Sequence, residues 1–221
     1  MINNKLISYI KRFLGLESLF RVQLEKWLEN INVTANKVLD IGGGLKPVKN
    51  RVKKWDVKEY KILDNNLQGN FNPDFYIDLN DIIYSDKYGW ILKSVCYKKD
   101  FNKIIKESFD VIFCLEVMEY IYNPLTVLKF IYHILTPGGI LYISFPSIYP
   151  IHAPQEYDYL RYTKSAIIRF LKESRFSNWK IDPRTATAGA QDLLNFYKKE
   201  RMKGVKDKII LDIGYMVKAH K

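Results

Sequence analysis

The 221-residue sequence predicts an α/β protein, with an open, mostly parallel β-sheet covered by helices on both faces. Three observations lead to this prediction. Short apolar segments typical of buried strands alternate with amphipathic helical segments along most of the chain. The first such strand begins at Val38 and ends in Asp40, and a turn with three consecutive glycines, Gly42 to Gly44, follows it. Hydrophobic residues make up 48% of the chain, which is enough for a sizeable core.

The N-terminal region has the spacing of an amphipathic helix. Apolar residues recur at helical intervals over residues 5–31, with Leu24, Trp27 and Leu28 among them. We expect residues 1–35 to form a helical segment that packs on the core, and residues 36–221 to form the main domain. A basic amphipathic stretch can also lie on a membrane surface, and that alternative stays open.

Strands and helices then follow in alternation. The predicted strands after the glycines cover residues 60–63, 75–79, 109–117 and 140–145. A helix between the last two begins at Asn123-Pro124 and ends before the turn Thr136-Pro137-Gly138-Gly139. Thr163 is expected to cap another helix over residues 165–171. The end of the chain predicts two strands, at 179–187 and 209–218, around a helix near 190–201. Residues 80–108 are irregular in pattern and are expected to be a surface insertion.

Composition limits the functional classes. The net charge of +11 permits an anionic partner such as nucleic acid, but general richness in lysine explains it equally well. Cys96 and Cys114 have no partner at metal-ligand spacing, so we expect free thiols and no metal site. No apolar run approaches the roughly 18 residues of a membrane span. We therefore expect a cytoplasmic protein without a transmembrane segment, and the oligomeric state stays open.

The glycine turn predicts a ligand site. Glycines lack a Cβ and tolerate positive φ, so a ligand can lie against their backbone. The dinucleotide fingerprint requires a third glycine, but Pro47 occupies that position. The acidic Asp40, two residues before Gly42, disfavours a diphosphate and suits a ligand with positive charge.

The segment Asp40-Ile41-Gly42-Gly43-Gly44 resembles motif I of the class I S-adenosylmethionine (SAM)-dependent methyltransferases. The segment 135–141, Leu-Thr-Pro-Gly-Gly-Ile-Leu, is similar to the turn before the family's fifth strand. The resemblance covers about residues 36–218. It implies a Rossmann-like fold whose seven-stranded sheet has an antiparallel last strand, with SAM as cofactor.

Acidic residues lie at or near the carboxyl ends of several predicted strands. Asp64 lies 20 residues after Gly44, where a carboxylate can accept both hydroxyl protons of a ribose, although Asp-Asn-Asn also favours a simple turn. The resemblance implies that Asp78 and Leu79 contact adenine, with Asp81 as an alternative to Asp78. The expected cofactor residues are Asp40, Gly42, Gly43, Gly44, Asp64, Asn65, Asp78, Leu79, Leu115 and Glu116.

The fourth-strand block places Leu115 and Glu116 on the methionine side of the cofactor, by resemblance to the family. One position departs from the family pattern. Tyr120 stands where relatives often have histidine, so any role of that histidine is in doubt here.

The segment after the fifth strand is the expected acceptor side. It resembles a His…Asp-Tyr-x-Arg-Tyr-Thr signature of methyltransferases in surface-glycan and secondary-metabolite pathways. His152 is the candidate general base, and Asp158 could orient it or a substrate hydroxyl. Arg161 suits either a phosphate or carboxylate on the acceptor or a pair with Asp158 that fixes the loop. Tyr157 and Tyr162 are candidate acceptor contacts.

The sequence thus predicts a SAM-dependent methyltransferase acting on oxygen. Its expected acceptor is a small or carbohydrate-like molecule, with or without a phosphate group. Two alternatives remain open at this point, an RNA-modifying methyltransferase and a SAM-binding protein without catalytic activity.

Overall fold

A seven-stranded sheet forms the centre of the protein. The computed structural model describes residues 19–65, 71–94, 98–105, 108–149, 151, 154–185 and 212–221. The strands are β1 (Asn32–Ile41), β2 (Lys54–Asp64), β3 (Phe75–Tyr76), β6 (Phe109–Cys114), β7 (Leu135–Pro146), β8 (Ser177–Thr185) and β9 (Asp212–His220). Their order across the sheet is β3-β2-β1-β6-β7-β9-β8.

The strand directions confirm the predicted mostly parallel sheet with an antiparallel last strand. β1 pairs in parallel with both β2 and β6, and β6 pairs in parallel with β7. β9 runs antiparallel to both of its neighbours, β7 and β8. The order reverses at β1, so the carboxyl ends of β1, β2 and β6 form a crevice of the kind that binds ligands in α/β proteins.

Helices cover both faces of the sheet, as predicted. Successive strand residues point to opposite faces, so Val38 and Leu39 belong to two different cores. Helix α1 (Leu19–Leu28) packs Leu24 and Leu28 on one face. The other face is covered by α2 (Lys98–Ile104), α3 (Pro124–Ile134) and α4 (Lys164–Glu173). Residues 1–18 and the predicted helix near 190–201 lie outside the described residues.

Side-chain caps fix where two of these helices begin. The Asn123 side chain accepts a hydrogen bond from the Thr126 N–H at the start of α3, and Pro124 occupies its first turn. The Thr163 hydroxyl accepts from the Ala166 N–H at the start of α4, which confirms the predicted cap.

The structure corrects the expectation that residues 80–108 are an irregular surface insertion. They contain α2 and an antiparallel hairpin of β4 (Ile82–Ser85) and β5 (Gly89–Leu92). Ile82, Leu92, Phe101 and Ile104 from this region are buried in the core. These residues were not recognised as core residues from the sequence, because polar and charged residues separate them.

Cys114 is a free, buried thiol in β6, as predicted, whereas Cys96 lies outside the described residues. Within the described part of the chain, no helix is long and apolar enough to cross a membrane.

Candidate functional site

A cavity of about 380 Å³ lies at the carboxyl ends of β1, β2, β3 and β6. This volume falls in the range of small-molecule sites, roughly 300 to 1,000 Å³. The cavity brings together eight of the predicted site residues, Gly42, Asp64, Asn65, Asp78, Leu79, Leu115, Glu116 and Tyr157. Their convergence comes from the topology, because parallel strands end at the same edge of the sheet.

The glycine turn is held closely against β2. Gly42 has a φ of +72°, a conformation that side-chain-bearing residues rarely adopt. Its N–H donates to the Leu63 carbonyl at 2.8 Å, and the Gly44 N–H lies 3.4 Å from Asp64 Oδ2. A Cβ on Gly42 would stand 2.3 Å from Val117 Cγ2. Glycine is therefore required at this position both by backbone conformation and by space.

Asp40 supports this turn from beneath and does not line the cavity. Its carboxylate is 3% exposed and accepts hydrogen bonds from the Val48 N–H at 2.8 Å and from the Tyr60 hydroxyl. Gly43 lies directly above, where a Cβ would come within 2.4 Å of the carboxylate. The structure thus places Asp40 and Gly43 as supports of the turn, away from the position expected for direct ligand contact.

Burial raises the pKa of Asp40 from 3.8 to about 6, against the opposing hydrogen bonds from Tyr60 and Val48. Because the folded-state pKa lies above the ordinary value, the stability gained from the protonated form is complete below pH 3.8. It is lost as the pH rises through about 6. We expect the wild type to lose about 2 to 3 kcal/mol relative to Asp40→Asn between pH 4 and 7, measured by urea unfolding. Parallel pH profiles for the two proteins would contradict this result.

The end of the cavity near β3 combines hydrogen-bonding and apolar groups. Asp78 caps the short turn Leu79–Asp81 by accepting a hydrogen bond from the Asn80 N–H at 2.9 Å. The Asn80 side chain in turn donates to the Tyr120 carbonyl. Three apolar side chains line the same cavity, those of Ile77, Leu79 and Ile121. This end therefore fits a flat, partly apolar ring with polar edges.

Glu116 stands at the carboxyl end of β6 with a φ of 57°. Its backbone N–H donates to Ser144 Oγ, and its carboxylate accepts from the Ser144 hydroxyl and from Arg184, each at 2.7 Å. Arg184 is 1% exposed. Although burial opposes ionisation, the charge of Arg184 and these hydrogen bonds hold the pKa of Glu116 below its ordinary value.

The predicted acceptor loop is only partly turned toward the cavity. Asp158 and Arg161 form a two-pronged ion pair with each other, and Arg161 also donates to the Tyr149 carbonyl at 3.0 Å. Tyr162 is buried, and its hydroxyl donates to the Met118 carbonyl at 2.7 Å. The structure therefore does not bring Asp158, Arg161 or Tyr162 to the cavity wall, and it uses them to anchor the loop. His152 lies outside the described residues.

Several cavity residues were missed from the sequence, namely Arg21, Lys46, Glu119, Tyr120 and Tyr149. Burial, followed by the charge of Glu119, raises the pKa of Tyr120, so its phenol stays protonated at neutral pH. Burial and nearby Glu116 do the same for Tyr149. The departure of Tyr120 from the family pattern was the one available signal. Arg21 had none, because no motif marks its position on the helix before the glycine turn.

These residues fit SAM. The cavity offers a carboxylate for a ribose, an apolar end for adenine and a backbone turn without side chains between them. Among the described residues, no group of three or more His, Cys, Asp or Glu side chains could hold a metal ion. The fold is that of the class I methyltransferases, and the cavity suits their cofactor SAM.

Comparison with known proteins supports the assignment. Residues 16–180 match the family model described as a methyltransferase domain, and the chain belongs to this family. No curated protein matches the sequence.

Solved structures share the fold at low sequence identity. A SAM-dependent methyltransferase from Archaeoglobus fulgidus aligns over 99% of this chain and 100% of its own, with 14% identity and a TM-score of 0.55. A SAM-dependent methyltransferase from Mesorhizobium loti covers 92% and 98% of the two chains, with 13% identity and a TM-score of 0.52. The plantazolicin methyltransferase BamL, solved with S-adenosylhomocysteine, covers 98% and 90%, with 14% identity and a TM-score of 0.53.

Proposed function

We propose that the protein transfers the methyl group of SAM to a hydroxyl oxygen of a small, carbohydrate-like acceptor. The observation that carries this proposal is the group of tyrosines in the cavity, Tyr120, Tyr149 and Tyr157. Protonated phenols donate and accept hydrogen bonds, and their ring faces pack against the apolar face of a sugar. This combination suits a neutral acceptor with several hydroxyl groups.

Methyl transfer from SAM requires little covalent chemistry from the protein itself. SAM, when bound, supplies a methyl group activated by its sulfonium. The residues of the cavity would hold the acceptor oxygen close to that methyl group, and alignment to about 3 to 3.5 Å can account for much of the acceleration of such a transfer. A hydroxyl acceptor must also lose its proton. We assign this proton to His152, which the sequence places in the loop just before Pro154, a residue that lines the cavity.

The contacts of Arg161 argue for an acceptor without phosphate at this loop. Binding a phosphate through Arg161 would require breaking its ion pair with Asp158, whose side chain is fully buried. A buried carboxylate that loses its cationic partner is costly. We therefore propose that Arg161 and Asp158 position the loop, and that the acceptor is recognised through its hydroxyl groups. A role in surface-glycan synthesis in the cytoplasm remains a proposal from the sequence signature.

The test is S-adenosylhomocysteine release from SAM over a panel of sugars, nucleotide sugars, phenols and RNA. We expect carbohydrate acceptors to raise release above background. With the best acceptor, His152→Ala should lower turnover by about 100-fold and leave SAM affinity near normal. The exposed Tyr88→Ala, in the β4–β5 hairpin, serves as the control and should keep full activity.

Three results would contradict the proposal. Release with RNA alone would favour the nucleic-acid alternative, and SAM binding without release on any acceptor would favour a binding protein. Full activity of His152→Ala would remove its role as base.

A further inference from the structure

We propose that Arg21, on helix α1, binds the carboxylate of the methionine moiety of SAM. The inference concerns the cofactor, so it holds whichever acceptor is methylated. It makes a helix that precedes the glycine turn part of the cofactor site.

The distribution of side chains sets the direction of the cofactor along the sheet edge. The cavity end near Asp78 has the apolar walls Ile77 and Leu79, which suit adenine. Asp64, one strand closer to the centre, is placed for the ribose. The zwitterionic methionine moiety then extends past Gly42 toward Glu116, where charged side chains gather. Arg21 lines the cavity at this end.

The glycine turn itself offers little positive charge for a carboxylate. Helix N-termini usually bind anions because their N–H groups and dipole point at the ligand. Here the connection 42–53, all of it described, contains only the short 3₁₀ turn Val48–Asn50 and no α-helix. In addition, the N–H groups of Gly42 and Gly44 point at Leu63 and Asp64. A cationic side chain in the cavity lining is therefore the better source of positive charge for a carboxylate.

The helix that carries Arg21 is hydrogen-bonded to β8. The Gln23 side chain forms two hydrogen bonds with the Thr185 backbone, and Trp27 donates to Asp182 at 3.0 Å. Arg21 Nη1 lies 3.8 Å from Glu25 Oε1, beyond hydrogen-bond distance, whereas the same Glu25 accepts two hydrogen bonds from Arg51. Arg21 thus keeps this long contact with Glu25 on its own helix while its side chain lines the cavity.

Electrostatics agree with this position. The positive charge of Arg21 contributes to lowering the pKa of Glu116 and opposes the rise in the pKa of Tyr149. Its charge therefore acts at the cavity end where the methionine moiety is expected. A guanidinium at this position can bind a carboxylate through two parallel hydrogen bonds.

The experiment compares the binding of S-adenosylhomocysteine and its decarboxylated analogue, which lacks only the carboxylate, by calorimetry. We expect Arg21→Gln to weaken S-adenosylhomocysteine binding by about 10- to 100-fold. Binding of the decarboxylated analogue should change less than about two-fold, because the lost interaction is absent from it. Arg169→Gln, on the exposed face of α4, is the matched control and should change neither affinity.

A second variant tests the neighbouring cation. Lys46→Gln should affect both ligands equally, since Lys46 lies in the loop after the turn and is not assigned to the carboxylate. An equal loss for both ligands in Arg21→Gln, or no loss at all, would overturn the proposal. A selective loss in Lys46→Gln instead would also overturn it and would assign the carboxylate to the loop.

Discussion

Replacing Asp64 by alanine is expected to abolish detectable cofactor binding. Asp64 lines the cavity at the carboxyl end of β2, where its carboxylate can accept both hydroxyl protons of the ribose. Each hydrogen bond to a charged group contributes about 1.5 to 3 kcal/mol, so losing two weakens binding by about 100-fold or more. The same variant also removes the acceptor that lies 3.4 Å from the Gly44 N–H, which loosens the glycine turn.

Calorimetric titration with S-adenosylhomocysteine measures this effect directly. Asp56→Ala is a matched control, because Asp56 is exposed on the same strand and lies near its opposite end. It should bind with unchanged affinity. Circular dichroism and thermal unfolding of Asp64→Ala should match the wild type within a few degrees. Unchanged affinity in Asp64→Ala would exclude the ribose role.

The sequence was sufficient to predict most of the sheet. The predicted strand at 109–117 corresponds to β6 (Phe109–Cys114), and the two C-terminal strands lie within three residues of β8 and β9. Buried strands are nearly continuous apolar runs, so their pattern is strong. β2 was predicted too short, because it begins at Lys54. In residues 54–59 charged side chains alternate with Trp55 and Val57, so the first half of the strand is not a continuous apolar run.

Most of the residues expected on the cofactor side line the cavity, whereas of the described residues expected on the acceptor side only Tyr157 does. Gly42, Asp64, Asp78 and Glu116 were singled out because each lies at the carboxyl end of a strand or within two residues of it, and parallel strands end at one edge. Residues brought in by tertiary packing carry no such local signal. Arg184, for example, meets Glu116 across 68 residues of sequence.

The direction in which a side chain points also could not be predicted from the sequence. Asp40 and Tyr162 lie beside site residues in the chain, yet both are buried and neither lines the cavity. Strand alternation explains the placement of Asp40. Its neighbour Ile41 lines the cavity, so Asp40 points to the opposite side of the strand, where Val48 and Tyr60 bind its carboxylate.

The largest effect on stability is expected from Arg184→Met. This change leaves the Glu116 carboxylate without the cation that holds its pKa down, in a site where Arg184 is 1% and Glu116 30% exposed. Removing one partner of a largely buried ion pair costs about 2 to 4 kcal/mol, because the remaining charge is poorly solvated. We expect a loss of this size in the free energy of unfolding in urea at pH 7, with weaker cofactor binding as Glu116 shifts.

The pH dependence separates this ion pair from a simple loss of packing. Because the folded-state pKa of Glu116 is lowered, its stabilising contribution is present above the ordinary value of 4.5 and is lost as the pH falls below it. The gap between Arg184→Met and the wild type should therefore narrow in acid. Arg169→Met removes an ion pair of the same 2.7 Å length, but Arg169 is 79% exposed, so solvent replaces the lost partner and stability should not change measurably. Similar losses in both variants, or a gap that is constant with pH, would mean that packing of the arginine side chain stabilises this part of the sheet and that its charge does not.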